Sequence, residues 1–355
     1  MLAVNRADRA PLSSIRPVNE SVRALANRRL DILTKPLGSL GRLEPLAAQI
    51  CAIQGTLEIR ITEPVGLVFA ADHGVAERGV SAYPREVTVQ MVGNFLRGGA
   101  AISVLAKLEG IGLWIIDAGV DGDCGTHPRL IDAKIRRGTR NFIDEPAMLP
   151  SECAEALERG RDVVEKTVPT GGNTLVLGEM GIGNTAAAAV LMHGLTKRPL
   201  IDCIGRGTGL DDKGLERKRA LLEEAARRHG VSQDPYDLLI EFGGYEIAML
   251  TGAILAAAAR QMVILVDGFT VTVAAALAAR INRGALDYCV FSHRSAEHAH
   301  RALLEHLEVQ PLLDLGMRLG EGSGAAIGLS VVRAAVALLT QMATFEGAGV
   351  SDKGS

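Results

Sequence analysis

The stretch Thr174-Leu-Val-Leu-Gly-Glu-Met-Gly-Ile-Gly-Asn-Thr-Ala186 decides the fold. It opens as a short run, Thr174 to Leu177, that does not alternate between apolar and polar. It then passes through glycines into an alanine-rich helix. A strand that is apolar on both faces is one covered by helices on both faces, as in a parallel sheet. Gly181-x-Gly183-x-x-Ala186 is the arrangement in which glycines let a backbone approach a phosphate and the helix start points free N–H groups at it. Tight packing of strand against helix produces the same pattern without any ligand. The related GxxxxGK[ST] motif fails by one residue: Gly178 and Gly183 fit, but Asn184 stands where the lysine belongs, which argues against ATP hydrolysis. Glu179 is harder to dismiss, because a carboxylate beside a phosphate turn is awkward unless it serves hydroxyls or a cationic ring.

Outward from this stretch the same rhythm repeats. Apolar runs at Val65 to Ala70, Leu113 to Ile116, Met262 to Val266 and Tyr288 to Phe291 predict four more strands. Helices are predicted over Arg85 to Leu108, Ser151 to Thr167 (with Ser151 as N-cap after Pro150), Asp211 to His229, Gly244 to Gln261 and Ser295 to Leu307. Alternating strands and helices predict an α/β fold: a Rossmann-like, mostly parallel sheet covered by helices. Helices without neighbouring strands are predicted near both termini. One is Asn19 to Leu33, with Val22, Leu25, Ala26, Leu30 and Leu33 on one face; the others are Leu43 to Ile53 and Ser323 to Met342. The expected division is therefore a small helical domain from residues 1–60 and 315–346, a large domain from 61–314, and a flexible tail, 347–355.

Composition narrows the function. The 355 residues carry 38 basic and 41 acidic side chains, a net charge of −3, so a net basic surface for nucleic acid is excluded. With 48% hydrophobic and 22% charged residues the chain is globular rather than disordered. Cys51, Cys124, Cys153, Cys203 and Cys289 are odd in number and unpaired in spacing, which predicts buried thiols in a reducing, cytoplasmic compartment. The N-terminus carries no signal-peptide pattern. No membrane span is expected: the richest apolar stretch, Met249 to Ala259, is broken by Thr251 and Gly252 and ends at Arg260.

Each predicted strand runs into a polar or glycine-rich cluster, and in an open parallel sheet ligands lie outside those ends. Beyond the central stretch, these clusters are Ala71-Asp72-His73-Gly74, Asp117-Ala118-Gly119, Asp267-Gly268 and Ser292-His293-Arg294-Ser295. Gly205-Arg-Gly-Thr-Gly209 is a second glycine-rich turn, followed by a helix with Lys213 and Lys218, which suits an anion. Leu319-Gly-Glu-Gly-Ser-Gly324 sets Glu321 alone between glycines; a desolvated carboxylate takes a proton near neutral pH. His293, His298 and His300 resemble metal ligands, but His298 and His300 point to different sides of a helix and nothing completes a set. Asp72 beside His73 reads as readily as a structural pair as a catalytic one.

Taken together these motifs resemble the nicotinate-nucleotide–dimethylbenzimidazole phosphoribosyltransferases of cobalamin assembly. The segments that carry the resemblance run in order from residue 35 to 325. They are Lys35-Pro-Leu-Gly-Ser-Leu-Gly-Arg-Leu-Glu44, Ala71-Asp-His-Gly-Val75, Val80-Ser-Ala-Tyr-Pro-Arg-Glu-Val-Thr88, Gly178-Glu-Met-Gly-Ile-Gly-Asn-Thr185, Gly205-Arg-Gly-Thr-Gly-Leu210, Ser292-His293 and Leu319-Gly-Glu-Gly-Ser-Gly-Ala325.

The resemblance implies transfer of phosphoribose from nicotinate mononucleotide to 5,6-dimethylbenzimidazole, with inversion at the sugar. It implies a homodimer acting on small-molecule substrates, with no cofactor and no metal. It implies Glu321 as general base and a lysine that aligns with Lys218, neighbouring Lys213 being the alternative. Glu179 is the candidate to stabilise the cationic sugar in the transition state. The resemblance implies a base pocket of Ser81, Tyr83, Glu86, Gln90, Met180 and Leu319. It implies a phosphate and ribose site at Gly181, Gly183, Asn184, Gly205, Gly207, Ser292 and Gly320. Tyr83 stands where the family usually has Phe, which bears on the base accepted. Two other classes compete: an NAD-dependent oxidoreductase, with Asp202 on the ribose hydroxyls, and a non-catalytic nucleotide-sensing dimer.

Overall fold

Six strands, all parallel, form one sheet in the computed structural model, which describes residues 14–207 and 209–351. They are β1 (Val65–Ala71), β2 (Gly112–Gly119), β3 (Leu130–Asp132), β4 (Thr174–Met180), β5 (Val263–Val266) and β6 (Cys289–Phe291). Their order is β3-β2-β1-β4-β5-β6. The chain enters at the middle, winds out to β3, then returns to lay β4 on the other side of β1. The order reverses between β1 and β4, and there an open parallel sheet has its ligand crevice. All of β1 and β5 is buried, as their unbroken apolar sequences require.

Five of these strands are the predicted ones, with ends shifted by a few residues. Met262 and Tyr288 lie just outside β5 and β6. The edge strand β3 has no counterpart in the prediction: it is three residues long and buries only Ile131, too little for an apolar run.

Four helix expectations need correction. Arg85 to Leu108 is two helices, Val87–Leu96 and Ala101–Leu108, separated by Gly98, at φ 82°, and Gly99. Ser151 is not an N-cap: Leu149 is, with Pro150 in the first turn and the Leu149 N–H donating to Glu152 Oε2 at 2.7 Å. Ser295 to Leu307 is helical only over His300–His306, because the Arg294 and Ala296 N–H groups donate to Leu313 and Met317 carbonyls instead. Gly347 and Ala348, expected in the tail, belong to a short helix, Phe345–Ala348; residues 352–355 and 1–13 lie outside the described residues.

Helix Glu20–Asp31 starts where Asn19 caps it, its side chain accepting the Val22 N–H at 3.1 Å. Ala26, Leu30 and Leu33 are buried as expected, but Leu25 is exposed. This helix and Leu43–Gln54 pack with the final long helix, Ser323–Gln341. That helix, rather than Met249 to Ala259, is the apolar stretch with the length of a bilayer span, with a mean hydropathy of 1.7 over an 18-residue window. Half of the window is buried against the sheet and neighbouring helices, as in the core helix of a globular protein.

Candidate active site

The ends of β4, β5 and β6 meet at one cleft. After β4 the chain reverses through Gly183, whose φ of 100° is a conformation that side chains rarely adopt, and enters the helix Asn184–Thr196. The Ile182 N–H donates to Thr88 Oγ1 at 3.1 Å, which docks helix Val87–Leu96 on this turn. Beside it lies an open cleft, walled by Glu179, Met180 and Asn184 from the end of β4, Gly268 from the end of β5, Glu297 from the loop after β6, and Arg318 to Gly320.

Glu179 accepts a hydrogen bond from Asn184 Nδ2. Burial together with nearby Asp267 and Glu246 pushes its carboxyl up to about 8. A carboxylate so placed gains from any positive charge brought into the cavity. Glu321 lies on the turn that faces it. A side chain at Gly178 would collide with the Glu321 carbonyl, and one at Gly320 would sit 2.6 Å from Glu179 Oε1, so only glycines allow the two turns to meet. Glu321 itself is buried behind Gly320, at φ 65°, and its Oε2 accepts the Ile102 N–H at 3.4 Å. Burial raises its carboxyl too, with Asp267 adding to the shift.

The opposite wall is built around a cation. Lys218 is fully buried, while Lys213 is exposed, which separates the two candidates. Lys218 Nζ donates to Thr185 Oγ1 at 3.2 Å and to the Gly205 carbonyl at 3.1 Å, both neutral acceptors. Burial pushes it down to about 8. Gly207, also on the cleft wall, donates its N–H to Glu297 Oε1 at 3.2 Å, so that amide is already engaged. Arg318 donates to the Gly207 carbonyl at 3.3 Å and joins the cleft to a neighbouring cavity lined by Arg206, Arg219 and Glu297. Glu179 thus stands at one end of the cleft, and at the other Arg318 and Glu297 line the wall behind which Lys218 is buried.

Of the base-pocket candidates, Met180 and Leu319 line this cleft. Ser81 is half-buried and accepts the Tyr83 N–H at 3.3 Å; Tyr83, Glu86 and Gln90 lie on the segment leading into and along helix Val87–Leu96, outside the cleft wall. Of the phosphate and ribose candidates, Gly181, Asn184, Gly207 and Gly320 line the cleft, and Gly205 lines the neighbouring cavity. Ser292 does not line it: it is fully buried, its hydroxyl donates to the Val290 carbonyl at 3.4 Å, and it packs against Gly328. From that loop the cleft takes Ser295 and Glu297 instead.

Asp72 and His73 do not pair with each other. His73 Nε2 lies 2.7 Å from Glu246 Oε1, both side chains fully buried, and Asp72 accepts the Asp121 N–H at 2.8 Å. His300 is saturated by Thr272 and the Ser295 N–H and is pushed down to about 3 by burial. Among the described residues no group of three or more His, Cys, Asp or Glu is placed to hold a metal ion. Asp202 is exposed on the short helix Leu200–Cys203.

Glu297 and Arg318 are absent from the sequence reading. Neither stands in a glycine-rich motif or at a predicted strand end, and only long-range packing brings them in. Thr88 and Thr185 stand within motifs, yet no local signal shows that one docks a helix and the other holds a lysine. Asp267 was visible as a strand end but had no partner in sequence.

The phosphoribosyltransferase family model matches residues 15–350. A nicotinate-nucleotide–dimethylbenzimidazole phosphoribosyltransferase from Dechloromonas aromatica (strain RCB) is 54% identical over 333 residues, covering 93% of this chain and 95% of that one. Its counterpart from Chloroflexus aurantiacus is 47% identical over 343 residues, covering 96% and 98%. The crystal structure of CobT from Thermus thermophilus superposes with a TM-score of 0.90 at 43% identity, covering 94% of this chain and 100% of that one.

Proposed function

The chain belongs to the nicotinate-nucleotide–dimethylbenzimidazole phosphoribosyltransferase family, and from that premise we propose how its cleft moves phosphoribose from nicotinate mononucleotide to 5,6-dimethylbenzimidazole. The products are α-ribazole 5′-phosphate and nicotinate. The reading rests above all on one observation: the turns that carry Glu179 and Glu321 pack together at Gly178 and Gly320, on a cleft whose wall at Gly207 has Lys218 buried behind it.

The donor carries a pyridinium cation at C1′ and a phosphate at the far end of the ribose. The pyridinium and the sugar that it leaves belong at the acidic end, beside Glu179. The phosphate belongs at the basic end, at the start of helix Asn184–Thr196 with Lys218 and Arg318 near. As the C1′–N bond to the pyridinium breaks, its electron pair goes to nicotinate and C1′ gains positive charge. Glu179, ionised by the arriving cation, stabilises that charge. The unprotonated benzimidazole nitrogen attacks C1′ from the opposite face, so the configuration inverts in a single displacement. The new C1′–N bond leaves the benzimidazole cationic until its N–H proton departs, and Glu321 takes that proton. Burial raises its carboxyl, so it holds a proton more tightly than an exposed glutamate would, which suits a base.

The finer organisation is proposed with it. The helices Glu20–Asp31, Leu43–Gln54 and Ser323–Gln341 form the small unit and the sheet the large one, supported by the packing of those helices on one another. The protein acts as a homodimer in the cytoplasm; five free thiols, four of them buried, support a reducing compartment.

The test is direct. Purified protein, nicotinate mononucleotide and 5,6-dimethylbenzimidazole are incubated without metal, and products are separated by liquid chromatography with mass detection. Equal release of nicotinate and ribazole phosphate is expected. Nucleotide binding without either product would overturn the reaction in favour of a sensor.

A further inference from the structure

Asp267 follows β5 as a buried carboxylate, and the scheme above gives it no part. Its oxygens accept three backbone N–H groups from one turn. Gly322 donates to Oδ2 at 3.0 Å, and Gly324 and Ala325 donate to Oδ1 at 2.8 and 3.1 Å. That turn starts the helix Ser323–Gln341, whose own N-cap is Gly322, with no side chain to do the work. Asp267 therefore caps the helix from a distant strand. Donors and helix dipole together balance a charge that burial would otherwise oppose. The residue just before Gly322 is Glu321, at φ 65°, in a backbone region that costs a non-glycine residue free energy. Such a conformation persists only where its surroundings over-determine it. Here the Glu321 carbonyl lies in the space that a side chain at Gly178 would take, and Asp267 grips the next residues from the other side.

We propose that Asp267 is a positioning residue for phosphoribosyl transfer: by gripping Gly322 to Ala325 it fixes the strained turn that holds the Glu321 carboxylate beside Glu179. The proposal rests on the assignment of Glu321 as the base. Asp267 faces Glu321 from β5 and Glu179 faces it from β4, while the Ile102 N–H donates to it from helix Ala101–Leu108. On the β6 side His293 Nε2 lies 3.3 Å from Asp267 Oδ1, and Glu246 adds its charge at Glu179. Asp267 is thus the carboxylate neighbour common to both glutamates, and after burial it is a cause of both raised carboxyls. Loss of that charge has a signature that simple loosening lacks: the glutamates ionise at lower pH.

The experiment compares wild type, Asp267→Asn, Glu321→Gln and the double variant. It reads kcat and KM from product formation over about pH 5 to about pH 9, with melting curves to confirm folding. The Asn variant should lose about 10² in kcat, the scale of a displaced catalytic group, with KM for nicotinate mononucleotide within about twofold. The acid limb of its kcat/KM profile should move to lower pH. In the Glu321→Gln background the same change should cost nothing further, because the two residues act as a unit. An unmoved pH profile, or a full multiplicative loss in the double variant, would overturn the proposal. Asp267→Ser, uncharged but able to accept one N–H, answers the same question if the Asn variant does not fold. No product from wild type would remove the reaction and this role together. Wild-type turnover with an indifferent Asp267→Asn would remove the role of Asp267 alone.

Discussion

The two ends of the cleft are built by opposite charges under the same stress. At the β4 end Glu179 is pushed up to about 8; behind the Gly205–Gly207 turn Lys218 is pushed down to about 8. Burial is the leading cause at both, and each has neutral hydrogen-bonding partners: Asn184 for the glutamate, Thr185 and the Gly205 carbonyl for the lysine. They do not form an ion pair with each other. Glu297 acts on Lys218 as a nearby negative charge, whereas the charges acting on Glu179, from Asp267, Glu246 and Glu321, are of its own sign. The cost of holding these groups out of water is met during folding, so little reorganisation is left for the reaction. The difference lies in how the strain is held. The acidic end depends on close backbone packing at Gly178, Gly320 and Asp267, while the basic end depends on a side chain threaded under a turn.

The sharpest way to break this comparison is at the proposed base, Glu321. Glu321→Gln should lower kcat by roughly 10² or more with nucleotide affinity nearly unchanged, because a general base acts in the transition state and not in ground-state binding. Steady-state kinetics beside calorimetric titration checks it, and an unchanged rate would move the base elsewhere. Lys218→Met should act the other way round, weakening nucleotide binding by about 1.5 to 3 kcal/mol, the range for hydrogen bonds to charged groups. Calorimetry would show this as a raised Kd at constant stoichiometry. Gly178→Ala should destabilise the fold by about 1 to 3 kcal/mol, the usual cost of overpacking, since its new methyl meets the Glu321 carbonyl. Denaturant unfolding of this variant measures that cost.

Titration separates the two ends by sign. Glu179 binds its proton more tightly folded than unfolded, so its contribution to stability is complete below 4.5 and is lost as pH rises through about 8. Lys218 binds its proton less tightly folded, so its contribution is present above 10.5 and is lost as pH falls through about 8. The melting temperature of wild type should therefore fall relative to Glu179→Gln as pH rises from 4.5 to about 8. Relative to Lys218→Met it should rise from about 8 to 10.5. Opposite trends would mean that other groups carry the strain. The smallest effect belongs to Lys213→Ala: an exposed side chain should leave stability within about 0.5 kcal/mol, and turnover unaltered.

Some of this was legible before any coordinates. The strand β4 and its turn are written in local terms, an apolar run followed by glycines, and Gly183 does take the backbone that those glycines imply. Glu179 and Glu321 announced themselves as lone carboxylates among glycines, and the structure packs their turns together. Ser292 misled, because a serine at a strand end looks the same whether its hydroxyl faces the cleft or, as here, turns to Val290 under the last helix. Arg85 to Leu108 misled because its apolar spacing continues across Gly98 and Gly99, and only the chain's reversal there shows two helices.

The sequence by itself determined the alternation of strands and helices, the parallel sheet, the glycine-rich turns at strand ends and the family. Each depends on residues close in the chain, whose side-chain period and backbone freedom act locally. The tertiary structure alone decided which lysine is buried, that Glu297 engages the Gly207 amide, that Glu246 partners His73, and that Asp267 caps a helix 55 residues away. These are matters of burial and of hydrogen bonds between distant segments. Burial sets the charge state of a group, and nothing in a residue's near neighbours reports how much water the fold removes from it.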